Sequence, residues 1–363
     1  MTETTQDPIS SITVTTRTVP LPRPLQLGSF VVTERTYALV HVTTRDGFVG
    51  CAYAQTRGAP IAAVIETLFA PLLTGKDSLD VEARWRECFR STLGVGRTGL
   101  VPRALSLVDI ALWDVRAQRA ARPLFRLLGG EKDRVPLMLV AGYPHAREDV
   151  DEIVETAVRA ADKGYSLVKI ARAQDASVTR HALSELAISL PDSTRVVVDA
   201  SWFWENADQA LAEISNWREF PIAWVEDPFP PENVRAYQEL HKRSDLPIGV
   251  GDEVTDIHAF DHLAAADGLD ILRLDVATIG GITPALGVAR SATSWGLPVS
   301  MHISPEVSAH LAAALPGVTN IETFDRSGNR YDPSHELCTG GPEFGNGTAK
   351  LRDVPGLGFT IPR

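Results

Sequence analysis

Cysteine is scarce in this 363-residue chain: Cys51, Cys88 and Cys338 are the whole set, and none forms a CxxC pair. So few and so scattered, they exclude a disulfide framework and read as buried thiols. Apolar runs of membrane length are missing, so no segment reads as a span. The first residues, Met1-Thr2-Glu3-Thr4-Thr5-Gln6-Asp7, have neither the basic start nor the apolar core of a signal peptide, and the cytoplasm is the expected location. Positive charge is in deficit, with 35 Lys and Arg against 46 Asp and Glu and a net charge of −11. With no basic cluster, nucleic acid is not an expected partner. An anionic substrate would have to be drawn by a few local cations or a metal rather than by the field of the whole protein. No GxGxxG follows a first strand, which counts against a dinucleotide-binding open sheet.

What is present suits a soluble enzyme of two domains: 363 residues, 44% apolar and 22% charged. Residues 11–19 and 37–44 alternate with the period of half-buried strands. Residues 20–33, between them, hold Pro, Gly and Ser and read as a mobile loop. Arg45-Asp46-Gly47 reads as a hairpin turn. From about residue 60 to 128 the spacing becomes helical, above all from Ala104 to Asp114, and it stops at Gly129-Gly130. Strands and helices then alternate, with candidate strands at 137–141, 167–171, 195–199, 223–226, 248–251, 271–275 and 298–302. Seven or eight such units predict an α/β fold of the (β/α)8 barrel type, whose sites gather at the C-terminal strand ends. The expected division is an α+β domain at 1–130, the barrel at 131–330, and a Gly- and Pro-rich segment at 331–363 that packs back on the first domain.

Three acids end successive apolar runs: Asp199 after Val196-Val197-Val198, Glu226 after Ala223-Trp224-Val225, and Asp252 after Ile248-Gly249-Val250-Gly251. They lie 27 and 26 residues apart, the length of one βα unit. If the strands are parallel neighbours, the carboxylates converge, and a divalent cation relieves their repulsion. Lys169, Asp275, His302 and Glu322 continue the series at strand ends. Any one alone would read as a helix cap or a solvated charge; seven in succession read as a site. Asp227 and Glu253 adjoin proposed ligands and are turned away by alternation, toward support or ion pairing. Gly280-Gly281 reads as a tight turn before a phosphate cradle. Trp202 and Trp204 either line the cleft or pack; His310 and His335 read as structural or exposed.

At these residues the chain resembles the enolase superfamily and, within it, the mandelate racemase subgroup. The resemblance is carried by Asp109-Ile110-Ala111-Leu112-Trp113-Asp114, Leu127-Leu128-Gly129-Gly130, Gly164-Tyr165-Ser166-Leu167-Val168-Lys169, Asp275 with Ile279-Gly280-Gly281-Ile282-Thr283, His302 with Ser308-Ala309-His310-Leu311, and Val354-Pro355-Gly356-Leu357-Gly358. It implies that Asp199, Glu226 and Asp252 bind Mg²⁺, which chelates the carboxylate of a small hydroxy acid or acid sugar. It implies that His302, oriented by Asp275, moves the proton α to that carboxylate. Glu322 would donate a hydrogen bond to the carboxylate, Lys169 would lie beside it, and the first domain would cap the barrel and choose the substrate. A homo-oligomer is also implied. Enolase-superfamily sites with a Lys or His base and Mg²⁺ are an established pattern.

One departure bears on the reaction. The family motif is Lys-x-Lys, with the second lysine as base on the opposite face; here the run is Lys169-Ile170-Ala171-Arg172. Alternation sends Lys169 and Ala171 inward and Ile170 and Arg172 outward, and a guanidinium is a poor base. Two-base racemisation is disfavoured, as are cycloisomerisation and epimerisation that need the second lysine. One base, His302, suffices for loss of water, because the imidazolium can return its proton to the leaving hydroxide. The expectation is a Mg²⁺-dependent acid-sugar dehydratase. A racemase, epimerase or cycloisomerase is the alternative, above all if Ala171 replaces a lysine or if Tyr143 or Arg103 is recruited. A silent barrel binding protein is the third reading.

Overall fold

The computed structural model describes residues 6–27, 30–327 and 331–363. Three antiparallel strands open the chain, β1 (Ile9–Leu27), β2 (Phe30–Thr44) and β3 (Val49–Gln55), in the order β1-β2-β3. Gly47 makes the expected hairpin possible: its φ is +90°, and its amide bonds Thr44 O at 3.1 Å. Residues 20–33 differ from expectation. Outside 28 and 29, which lie beyond the described residues, they extend β1 and β2, pairing Pro20 with Glu34 and Gln26 with Val31 across a register shift. Pro20, Pro22 and Pro24 mislead because a strand ladder usually rejects proline; β1 is an edge strand and needs no donor on its outer side.

Helix Leu100–Arg119 lies between this sheet and the barrel, which is why it is apolar on nearly every side and buried from Ala104 to Val115. The two acids of its Asp109–Asp114 motif join the domains. Asp109 accepts from the Thr283 amide at 2.8 Å and hydroxyl at 2.7 Å, so it caps helix Ile282–Trp295 of the barrel from outside. Asp114 accepts from the amides of Cys51 (3.0 Å) and Leu357 (2.8 Å), tying sheet to tail. Gly281 permits the first contact: a Cβ there would meet Asp109 Oδ2 at 2.4 Å. Gly280-Gly281 is thus a turn packed on the first domain, with Trp85 donating to Gly280 O and Ser106 accepting from Gly280 N.

Burial pushes the Asp109 carboxyl up to about 7, against the donors around it. Unfolded, it would titrate near ~3.9. The folded state therefore holds the extra proton between those values. The stabilisation is complete below the unfolded pKa and is lost as pH rises through the folded one. The stability advantage of wild type over Asp109→Asn is expected to shrink from pH 5 to pH 8, read from thermal midpoints; a constant difference would show that the group does not titrate there.

Eight parallel strands follow: β4 (Arg134–Gly142), β5 (Leu167–Ala171), β6 (Arg195–Asp199), β7 (Ile222–Glu226), β8 (Ile248–Val250), β9 (Ile271–Leu274), β10 (Val299–Met301) and β11 (Val318–Phe324). Each pairs with the next, and β11 closes on β4 through Ile321 opposite Leu137. A helix follows each of β4 to β10, and after β11 the described chain returns to the first domain. Thr348–Lys350 pairs with the start of β4, and His41 Nε2 lies 3.3 Å from Ile361 O. Met138, Val197, Ala223 and Trp224 form an apolar layer in the barrel. The next inward positions, two residues on along β6 and β7, are Asp199 and Glu226. Among the described residues no helix is long and apolar enough to cross a membrane.

Candidate active site

Strand alternation delivers the polar series to one end of the barrel. Asp199 and Glu226 are the last residues of β6 and β7; Asp275 and His302 directly follow β9 and β10; Glu322 lies within β11. Oxygen atoms of Asp199, Glu226 and Asp252 all lie within 4.8 Å of one another, and Asp252, His302 and Glu322 form a second such group. These residues border one cavity of about 570 Å³, except Glu226 and Asp275, which lie behind it.

Lys169 sits at the centre. Its Nζ is 2.6 Å from Glu226, 2.8 Å from Glu322, 3.3 Å from Asp199 and 3.4 Å from Asp252. Burial alone would depress its pKa; the four carboxylates outweigh burial and hold it well above the usual lysine range. Arg273, wholly buried on β9, is a second cation that the strand-end series passes over. It reaches Glu226 at 2.9 Å, Asp252 at 2.8 Å and Ser300 at 2.5 Å, and also pairs with Glu322. A signal for it existed: it is the one charged residue inside Ile271-Leu272-Arg273-Leu274, two positions before Asp275 and so on the same inner face. Trp224, which donates to Glu226 at 2.9 Å, follows from the same parity.

His302 is fixed by Asp275. Its Nδ1 lies 2.8 Å from Asp275 Oδ2, and the other oxygen of Asp275 accepts from the Ala277 amide at 2.7 Å. Nε2 is left facing Asp252 at 3.5 Å and Glu322 at 3.9 Å. Burial works to lower the pKa of this imidazole, but Asp252, Glu322 and Asp275 together raise it. The next two residues, Ile303 and Ser304, have φ of 32° and 48°, strain of the kind that collects at functional sites.

Glu322 accepts from Lys169 Nζ at 2.8 Å and pairs with Arg273. Burial favours its protonated form, yet Lys169, Arg273 and His302 hold its pKa below the ordinary value. Asp227 also borders the cavity and supports Asp252, accepting from the amides of Gly251 (2.9 Å) and Asp252 (3.3 Å), and burial pushes its carboxyl up to about 8. Glu253 pairs with Arg57 at 2.5 Å and with Arg103. Ala171 lines the cavity. Arg172 also borders the cavity but is drawn aside: it meets Glu213 at 2.6 Å, and its guanidinium lies 3.4 Å from the centre of the Phe203 ring. Trp202 borders the cavity, whereas Trp204 is buried in packing. His310 is structural, accepting from Phe125 N at 3.2 Å and reaching Leu357 O at 3.0 Å, with burial lowering its pKa to about 4.

The charges admit a test for a cation. Asp199, Glu226, Asp252 and Glu322 face Lys169, Arg273 and the imidazole of His302; with that imidazole neutral, four carboxylates stand against two fixed cations. Glu226, buried and crowded by Asp252 and Asp199, is pushed well above the carboxylate range in spite of Arg273 and Lys169. One divalent ion would balance the cluster, and an all-oxygen donor set suits Mg²⁺. The residues fit such an ion.

Fold and site together define a (β/α)8 barrel with a cluster of carboxylates and buried cations at the C-terminal strand ends. Residues 11–129 match the mandelate racemase / muconate lactonizing enzyme N-terminal domain, and residues 152–363 match the enolase C-terminal domain-like family. The chain belongs to the mandelate racemase and muconate lactonizing enzyme family of the enolase superfamily and is an enzyme of lyase or isomerase type. It is 27% identical over 334 residues to the L-talarate/galactarate dehydratase of Salmonella typhimurium, covering 91% of this chain and 81% of the relative. It is 28% identical over 326 residues to the 3,6-anhydro-alpha-L-galactonate cycloisomerase of Streptomyces coelicolor, covering 89% and 88%. The crystal structure of an L-talarate/galactarate dehydratase variant liganded with Mg and L-glucarate superposes with a TM-score of 0.89 at 27% identity, covering 99% of this chain and 91% of that one.

Proposed function

We propose that this enzyme is a Mg²⁺-dependent dehydratase of a hydroxy acid, giving a 2-keto product, with His302 as its single base and acid. The observation that carries the reading is the asymmetry of the pocket. His302 is held by Asp275 at 2.8 Å, while the position of a second lysine holds Ala171.

Asp199, Glu226 and Asp252 would hold the Mg²⁺, which supplies positive charge against the enolate that forms next to a carboxylate. Lys169 donates to the same carboxylate, and Glu226 and Glu322 keep its ammonium charged and in place. His302 Nε2 takes the α-proton. Asp275 fixes the tautomer by accepting from Nδ1 and stabilises the imidazolium. As the enolate collapses, the carbon–oxygen bond at the β carbon breaks, and the imidazolium gives its proton to the departing hydroxide. Water leaves, and the enol ketonises. Gln26, Arg35, Gln55 and Arg57 of the first domain line the pocket, which supports a role for residues 1–130 in choosing the substrate.

With Mg²⁺ and a panel of five- and six-carbon hydroxy acids, at least one is expected to yield a 2-keto acid, and chelation of the metal is expected to abolish the reaction. The similarity to a cycloisomerase gives the isomerase reading its support. Solvent deuterium entering the α position with no keto acid from any member of the panel would establish that reading instead.

A further inference from the structure

We propose that Arg35 binds a second carboxylate of the substrate, so that the pocket takes a dicarboxylic hydroxy acid in preference to its monocarboxylic counterpart. This rests on the proposed function, in which Lys169 and the metal hold the reacting carboxylate at the barrel end of the cavity.

The cavity has two other arginines in its lining, Arg57 and Arg172, and each is accounted for. Arg172 is spent on Glu213. Arg57 and Arg103 share Glu253, two guanidiniums on one carboxylate. Arg35 is different. It comes from β2, is half-buried and lines the cavity. Its Nε donates to Tyr331 O at 3.3 Å, which leaves the two terminal nitrogens of the fork. Among the described residues no carboxylate lies within ion-pair distance of it. Asp332, beside Tyr331, is engaged by the Tyr37 hydroxyl and by Ser334 N at 3.0 Å. A partly desolvated guanidinium without a counter-ion is costly unless a ligand supplies one.

The cavity therefore has two ends of different charge. The barrel end carries the carboxylates that a divalent ion and Lys169 balance. The first-domain end carries Arg35 and the surplus charge of Arg57 with Arg103 around Glu253. A chain of hydroxylated carbons with a carboxylate at each terminus satisfies both ends. A monocarboxylic acid leaves Arg35 facing a hydroxyl. A guanidinium presents a planar fork that fits a carboxylate in two bonds.

The test is equilibrium binding to the Mg²⁺-loaded protein of five- and six-carbon diacids and of the monoacids of matching configuration, with wild type, Arg35→Gln and Arg35→Lys. Wild type is expected to bind its preferred diacid roughly 30-fold more tightly than the matching monoacid, the range of a charge-assisted pair. Arg35→Gln is expected to reduce that ratio to about 3 or less, and Arg35→Lys to retain a large part of it. A ratio near one in wild type, equal losses for both acids in Arg35→Gln, or no diacid bound by wild type overturns the proposal. Product assays run in parallel keep the two claims apart: preference for diacids without keto acid overturns the dehydratase reading alone, and keto acid formed equally well from monoacids overturns the Arg35 proposal alone.

Discussion

His302→Asn is expected to cut turnover by about 10³- to 10⁴-fold and to remove exchange of the substrate α-proton with solvent, while Mg²⁺ affinity changes little. Asparagine is shorter than histidine, and its amide nitrogen can still donate to Asp275, so the local hydrogen bond survives and the base does not. His302 is the group whose tautomer the fold goes to the trouble of specifying, through Asp275 and the Ala277 amide. Its free nitrogen faces the cavity, and Ala171 offers no substitute on the cavity wall. The measurement is NMR of the α-proton in D₂O, with metal binding followed separately. Exchange persisting near the wild-type rate would mean that another group, such as Tyr143 at the cavity wall, removes the proton.

The barrel and the acidic trio were legible because both follow from a period. One βα unit takes a nearly constant length of chain, so residues ending successive strands recur at a nearly constant step, and parallel strands carry those ends to the same mouth. Lys169, Asp275, His302 and Glu322 emerged by the same rule. Arg273 did not, because it lies one inward step below the strand end, among leucines, and a count of terminal residues passes over it. Residues 20–33 were misread because composition alone does not distinguish a proline-bearing edge strand from a loop. The ion pairs of Glu322 with Lys169 and Arg273 were hidden for a different reason: they join strands that meet only after the barrel closes. Arg35 illustrates the same limit, since nothing in Val31-Val32-Thr33-Glu34-Arg35 signals that the side chain reaches a cavity built by the other domain.

Arg273→Met is expected to destabilise the metal-free protein by about 3–5 kcal/mol, a drop in thermal midpoint on the order of 10 °C, and at the same time to tighten Mg²⁺ binding. Methionine keeps the length of the side chain but removes the guanidinium from Glu226, Asp252 and Glu322, leaving Lys169 as the one fixed cation facing the four carboxylates. That cluster then lacks three charges rather than two, so a divalent ion relieves more repulsion in the variant than in wild type. Because an ion that binds only the folded state stabilises it in proportion to the logarithm of its concentration over its dissociation constant, the rise in midpoint on adding Mg²⁺ should be larger for Arg273→Met. The two effects have opposite signs, which separates this account from simple damage to the barrel core. A variant that loses stability and loses metal affinity together would show that Arg273 acts mainly by holding Glu226 and Asp252 in position, whereas a loss of stability with a gain of affinity identifies it as the internal counter-charge that lets this carboxylate cluster persist before the metal arrives.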